Sequence, residues 1–300
     1  TFAPNTISNV WVVQNSAGNT VTISQGTGAN VVIPNGGIRM VATDGAGSGA
    51  AVTDVLDVLG GTGNVGLGSG AFGTGLTTGT DNVAIGENAG DALTSGASNT
   101  FVGDNAGGAT TTADFNTAVG ANAMLVNSTG HSNVAVGGNT LDANTDGDQN
   151  TAVGVAALGA NTTANNNTAA GYLALGVNTT GTSNTAVGSG ALDANTTGDS
   201  NTAAGYRALG ANTTADNNTA FGKDALLSNT TGAANTAVGL GALDGNTTAS
   251  SNTAVGYAAL LSNTTGEVNS GFGYAALYTN TTGYGNTAVG KNALYTNNGN

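Results

Sequence analysis

Few residues in this 300-residue chain could do chemistry, and their spacing argues against most of it. His131 is the single histidine and cysteine is absent, so a Ser-His-Asp or Cys-His arrangement, or a thiolate or multi-histidine zinc site, cannot be assembled. Asp142, Asp146 and Asp148 lie close together in sequence. They lack the D-x-D-x-D-G or G-G-x-G-x-D spacing of a calcium loop and read as a solvated turn. Glycoside hydrolysis needs a pair of carboxylates across a cleft, and no acidic pair recurs along the chain. The expectation is therefore a protein that is not an enzyme and carries no metal and no cofactor.

Two residue patterns remain. The triplet Asn-Thr-Thr, formally a glycosylation acceptor, returns at every seventeenth residue from Asn161 to Asn280. Asparagines stacked in turns explain it without further machinery. Paired threonines such as Thr196 and Thr197 could face an ice lattice, but adjacent residues of an extended chain point in different directions, which argues against it. Tyrosines thicken toward the C-terminus, where Tyr274, Tyr278, Tyr284 and Tyr295 are candidates for contact with a surface or glycan. An exposed ring can stack on a sugar while its hydroxyl bonds. Packing at a seam between subunits is the competing reading.

The elements that must position these residues are unusual. Glycine occurs 51 times, proline twice, and only 7% of residues are charged. Aromatics make up 5% and Trp11 is the only tryptophan, so the core must be thin. Collagen would need glycine at every third position, which this sequence lacks. Four Lys and Arg against 17 Asp and Glu give a net charge of -13, which repels a nucleic-acid backbone. No apolar run approaches the roughly 20 residues needed to cross a bilayer as a helix. Neither nucleic acid nor membrane insertion is expected.

Thirteen units follow one another without insertion or deletion, from Asn82 (NVAIG) and Asn99 (NTFVG) to Asn286 (NTAVG), 17 residues apart each time. A further unit begins at Asn64, 18 residues before Asn82. The consensus is N-T-A-V-G-x-x-A-L-x-x-N-T-T-G-x-x, numbered here as coil positions 1 to 17. So strict a period implies units stacked directly on one another. The predicted architecture is an all-β solenoid with two short strands per coil, rising about 60 Å over 13 coils at the usual strand spacing of roughly 4.8 Å. Positions 3 and 4, as in Ala152 and Val153, are both apolar, and neighbouring strand residues face opposite ways. One must fill the coil and the other must be covered from outside. Positions 8 and 9, as in Ala157 and Leu158, repeat that expectation for a second strand. Closed association of identical chains would cover such stripes, and a three-fold bundle is the simplest rod. Position 5 is glycine in all 13 units, predicting a positive φ or a close backbone approach.

Residues 1–60 leave the register. The segments NVWVVQN, NTVTIS, NVVIP, IRMVA and AVTDVLDVL read as short strands divided by turns at NSAGN, QGTGA, NGG and DGAGSG. This divides the chain into a small β module at 1–60, a cap or attachment joint, and the repeat at 61–300.

Units such as NTAVGYAALLSNTTGEV and NSGFGYAALYTNTTGYG resemble the head repeats of trimeric autotransporter adhesins. They resemble still more the longer NTAVGYxAL repeats of bacteriophage tail fibres and of tail-fibre-like bacterial surface proteins. The N-terminal run GNTVTISQGTGANVVIPNGGIRMVATDG is similar to β modules that recur in phage tail fibres, so the likeness spans nearly the whole chain. It implies a left-handed parallel β-roll assembled as an elongated homotrimer. It also implies a place in the virion as a tail-fibre rod, with other virion or tail proteins as partners at the N-terminal end and a host surface glycan or receptor at the other. The alternative is a bacterial surface adhesin or extracellular filament subunit.

Overall fold

The computed structural model describes residues 10–23, 31–33, 38–43, 52–59, 63–73, 76–297 and 299. Among them no helix occurs. The chain divides into two compact units, Thr1–Thr129 and Gly130–Asn300.

The first unit begins with antiparallel strands: β1 (Val10–Gln14), β2 (Val21–Ile23), β3 (Val31–Ile33), β4 (Ile38–Thr43) and β5 (Val52–Leu59). All five strand expectations for this region hold. The turns expected at 25–29, 35–37 and 44–49 lie outside the described residues. β1 pairs with β4, β4 with β5, and β2 with β3. Val31, Ile33 and Val41 form a small core against which Trp11, Val13 and Ile23 pack. Asn15 fastens the turn, donating to Ile33 O at 2.8 Å and Asn19 O at 2.7 Å while its Oδ1 accepts from Ala17 N.

The change to a solenoid happens on one strand. β6 (Asn64–Leu67) is antiparallel to β5 and parallel to β7 (Val83–Ile85), with Val65 opposite Val83. β5 thus covers the edge that the first coil would otherwise expose. Parallel pairing continues to β8 (Thr100–Val102) and β9 (Thr117–Val119). Asn64 belongs to the stack, since its Nδ2 donates to Gly79 O and its Oδ1 accepts from Asn82 N. The extra residue of this coil falls between Phe72 and Thr77. Phe72 N donates to Ala89 O in the ordinary position-9 pattern, and Thr77 already occupies a position-13 role by donating to Thr94 O.

The second unit is a parallel stack of ten three-residue strands, from β10 (Val134–Val136) to β19 (Thr287–Val289), each in register with the next. Each strand covers positions 2 to 4. Position 3, for example Ala152, Ala186 and Ala237, is fully buried and position 4 faces outward, as alternation requires.

The second strand per coil is a correction. Positions 6 to 11 form turns, and residues at positions 7 and 9 have positive φ, as in Ala156 (56°) and Leu158 (51°). A left-handed residue breaks the alternation of side-chain direction, so Ala157 and Leu158 both turn inward and are fully buried. A left-handed conformation costs a non-glycine residue roughly 1–2 kcal/mol, and burying a leucine returns about 1.5–3 kcal/mol. Each coil therefore leaves one outward apolar position on its strand, not a second stripe on a second strand.

Position-5 glycines answer to both expected causes. Gly154 has φ +130°, and a Cβ there would stand 2.5 Å from Gly171 O in the next coil.

Candidate functional site

What holds the coils also decides which side chains are left for contact. Two asparagine ladders run inside the stack. At position 1, Asn184 Oδ1 accepts from Asn201 N at 2.9 Å while its Nδ2 donates to Gly198 O at 2.7 Å. At position 12, Asn195 Nδ2 donates to Asn178 Oδ1 at 2.8 Å and to the same Gly198 O at 3.0 Å. The position-15 carbonyl thus uses both lone pairs. All eight Asn-Thr-Thr asparagines, Asn161 to Asn280, are buried. Their amides point into the coil, so the folded chain offers none of them to a glycosylating enzyme.

The two threonines of each triplet separate as expected. Thr196 Oγ1 donates to Thr213 O at 3.1 Å, in a ladder repeated along the stack, whereas Thr197 is exposed. Only one row of threonines faces solvent there.

The strand face forms a continuous surface along the stack. From β10 to β19 its outward positions 2 and 4 carry only Thr, Ser, Val, Ala and Phe. Val153 is 43% exposed and Phe221 47%. Position 6 widens the ribbon in several coils, as with Leu240 and Tyr257. Its relief is uneven: Ala170 and Ala204 are low, Phe221 and Phe272 high.

The structure distributes the candidate tyrosines over three rows. Tyr274 stacks on Tyr257 at position 6, with centroids 5.0 Å apart and planes 12° from parallel. Tyr278 and Tyr295, at position 10, stack at 4.9 Å and 2°. Tyr284 sits at position 16, exposed on another side of the coil. Lys291 Nζ lies 5.7 Å from the Tyr274 ring, extending that column by a cation–π contact. Each stacked pair uses one face of each ring on its neighbour. Ala258 and Ala275, which follow Tyr257 and Tyr274, are buried, whereas Ala156 after Val155 is half-buried, so the larger rings shield the shoulder of their coils.

Among the described residues no group of three His, Asp or Glu is placed to hold a metal ion. His131 N donates to Asp148 Oδ1 at 2.7 Å, and Asp146 is exposed.

One feature of the surface is absent from the repeat consensus. Position 10 carries an aspartate at three-coil intervals, Asp91, Asp142, Asp193 and Asp244, until Tyr295 ends the row. Burial raises the carboxyl of Asp142, Asp193 and Asp244 above its ordinary value. For Asp193 hydrogen bonds to backbone and the Arg207 charge partly offset burial, and for Asp244 nearby Asp224 adds to it while Arg207 opposes. Asp142 and Asp193 are followed one coil later by Gly159 and Gly210, where a Cβ would stand 3.4 and 3.5 Å from the aspartate Oδ1. The signal was present in sequence as a 51-residue spacing, three coils long, hidden under the stronger 17-residue period.

No protein-family model, curated protein or solved structure matches this chain.

Proposed function

We propose that the chain is a structural fibre protein, the rod of a phage tail fibre, in which three copies associate along their strand faces. The observation that carries this reading is the strand itself: ten consecutive coils whose outward strand positions 2 and 4 are free of charge and partly apolar, on a chain whose net charge is -13. Two acidic chains meet with least repulsion where neither carries charge, and a partner with the same 17-residue coil stays in step with every outward side chain. Left-handed winding and the count of three come from the resemblance to tail-fibre and adhesin-head repeats. In this reading the N-terminal antiparallel module joins the rod to other particle proteins, and the far end meets a host surface. The fibre itself performs no reaction.

Imaging with an antibody against the repeat tests the assignment. Labelling of phage particles along their tail fibres is the expected result. Labelling confined to a bacterial surface, with particles bare, would replace the virion reading by that of a surface adhesin.

A further inference from the structure

The strand face repeats with every coil, so by itself it would admit copies slipped past one another by whole coils. The charges beside it do not repeat, and in the second unit they are sorted by side. Three of the chain's four basic residues, Arg207, Lys223 and Lys291, fall at positions 6 and 7, just after a strand. Four acids, Asp148, Asp199, Asp216 and Glu267, fall at position 16, just before the next strand. Asp199 thus precedes the strand Thr202–Ala204 that Arg207 follows, and Asp216 precedes the strand Thr219–Phe221 that Lys223 follows. Because the strand runs across the coil between them, the two sets lie on opposite flanks of the strand face.

Each set is held at its height by its own chain. Asp199 Oδ1 accepts from Thr182 N at 2.6 Å and Asp216 Oδ1 from Asp199 N at 2.7 Å, which aligns the carboxylates along the stack. On the other flank Arg207 Cζ and Lys223 Nζ each lie 6.0 Å from the Tyr206 ring centroid. Lys223 Nζ also stands 3.6 Å from Asp224 Oδ2. Arg207, Lys223, Lys291, Asp199 and Glu267 are exposed. When copies are related by rotation about an axis along the stack, one flank of each meets the opposite flank of the next, whatever their number. A two-fold axis across the stack, which reverses one copy, would set each flank on itself, acids on acids and cations on cations.

We propose that the position-6 flank docks on the position-16 flank of a second, parallel copy at the same height, forming a charged seam that sets direction and register. With no axial shift, residues before and after the same strand share a level. Arg207 then meets Asp199, Lys223 meets Asp216, and Lys291 meets the Tyr284 ring. The remaining acids, Asp148 and Glu267, meet Val155 and Tyr274, so no position-16 acid faces an acid at position 6. A slip of one coil, about 4.8 Å, puts Ala233 opposite Lys223 in one sense and Thr182 opposite Arg207 in the other. Complementary charges of this kind govern orientation and partner choice more than strength. The proposal rests on association through the strand face and adds its direction and register.

Carbodiimide joins an amine to a carboxylate in contact with it, and Lys223 and Lys291 are the chain's only lysines. Isotope-labelled and unlabelled full chains, refolded together and treated with carbodiimide, should yield mixed-isotope peptides joining Lys223 of one copy to Asp216 of another. Arg207→Glu with Lys223→Glu should weaken association about tenfold or more in sedimentation, with circular dichroism reporting the fold. Adding Asp199→Lys and Asp216→Lys should recover association. Adding Glu87→Lys and Asp104→Lys instead restores the same net charge at other coils and should not. Three results would each overturn the seam while leaving association through the strand face standing: an assembled native chain without the Lys223–Asp216 link between copies, full affinity in the folded double variant, or equal recovery with the control pair. A native chain that stays monomeric would overturn both.

Discussion

Single atoms decide whether a coil can sit on the next. Gly188 has φ +134°, and a Cβ there would lie 2.5 Å from Gly205 O. Gly188→Ala should therefore destabilise the stack by more than about 2 kcal/mol, combining backbone strain with a clash against backbone that cannot yield locally. Its denaturation midpoint would show this; an unchanged midpoint would mean that the coils are not so closely stacked. Asn195 makes a different prediction. Its amide bonds Asn178 Oδ1 and Gly198 O, and its Oδ1 accepts from Asn212 Nδ2 at 2.9 Å. Asn195→Ala strands buried polar groups in two neighbouring coils, each loss costing about 1–3 kcal/mol. An exposed neighbour, Thr197→Ala, should change little in the same measurement.

At the scale of the coil, the sequence disclosed the period, the direct stacking of the units and the role of the asparagines, because each depends on a residue type repeated at fixed spacing. Ala152 and Val153 gave the direction of the strand faces correctly, since alternation is a property of any extended segment. Ala157 and Leu158 looked the same on paper and misled. Positive φ at Ala156 and Leu158 is a backbone property that leucine and alanine do not advertise, unlike glycine or asparagine. The position-10 aspartates carry a prediction at this scale. A carboxyl whose pKa is raised in the folded state above its ordinary value holds more protons folded than unfolded at pH values around the two. Stability must then rise as pH falls from neutrality through the folded pKa, and the gain levels off below the unfolded value. The thermal midpoint should increase on mild acidification. Relief of general repulsion acts in the same direction, so the triple change Asp142→Asn, Asp193→Asn and Asp244→Asn separates the two causes. It should flatten the slope and raise the midpoint at neutral pH; an unaltered slope would assign the effect to net charge alone.

For the whole molecule, in the proposed fibre, the governing balance is between strand positions free of charge and a charged chain. Covering the outward valines and phenylalanines favours association, at roughly 25 cal/mol for each Å² of apolar surface removed from water. The charge of -13 on every copy opposes it, so assembly should tighten as salt rises toward a Debye length of about 8 Å at physiological ionic strength. Val187→Asp with Phe221→Asp places charge in the middle of the face while leaving the interior alanines untouched. In the proposed fibre it should dissociate the chains without unfolding the coils, as read by sedimentation together with circular dichroism. The most direct measurement is the mass of the unmodified chain by sedimentation equilibrium at micromolar concentration. Association through the strand face predicts a single species of three times 28.5 kDa; a stable, soluble monomer would contradict it.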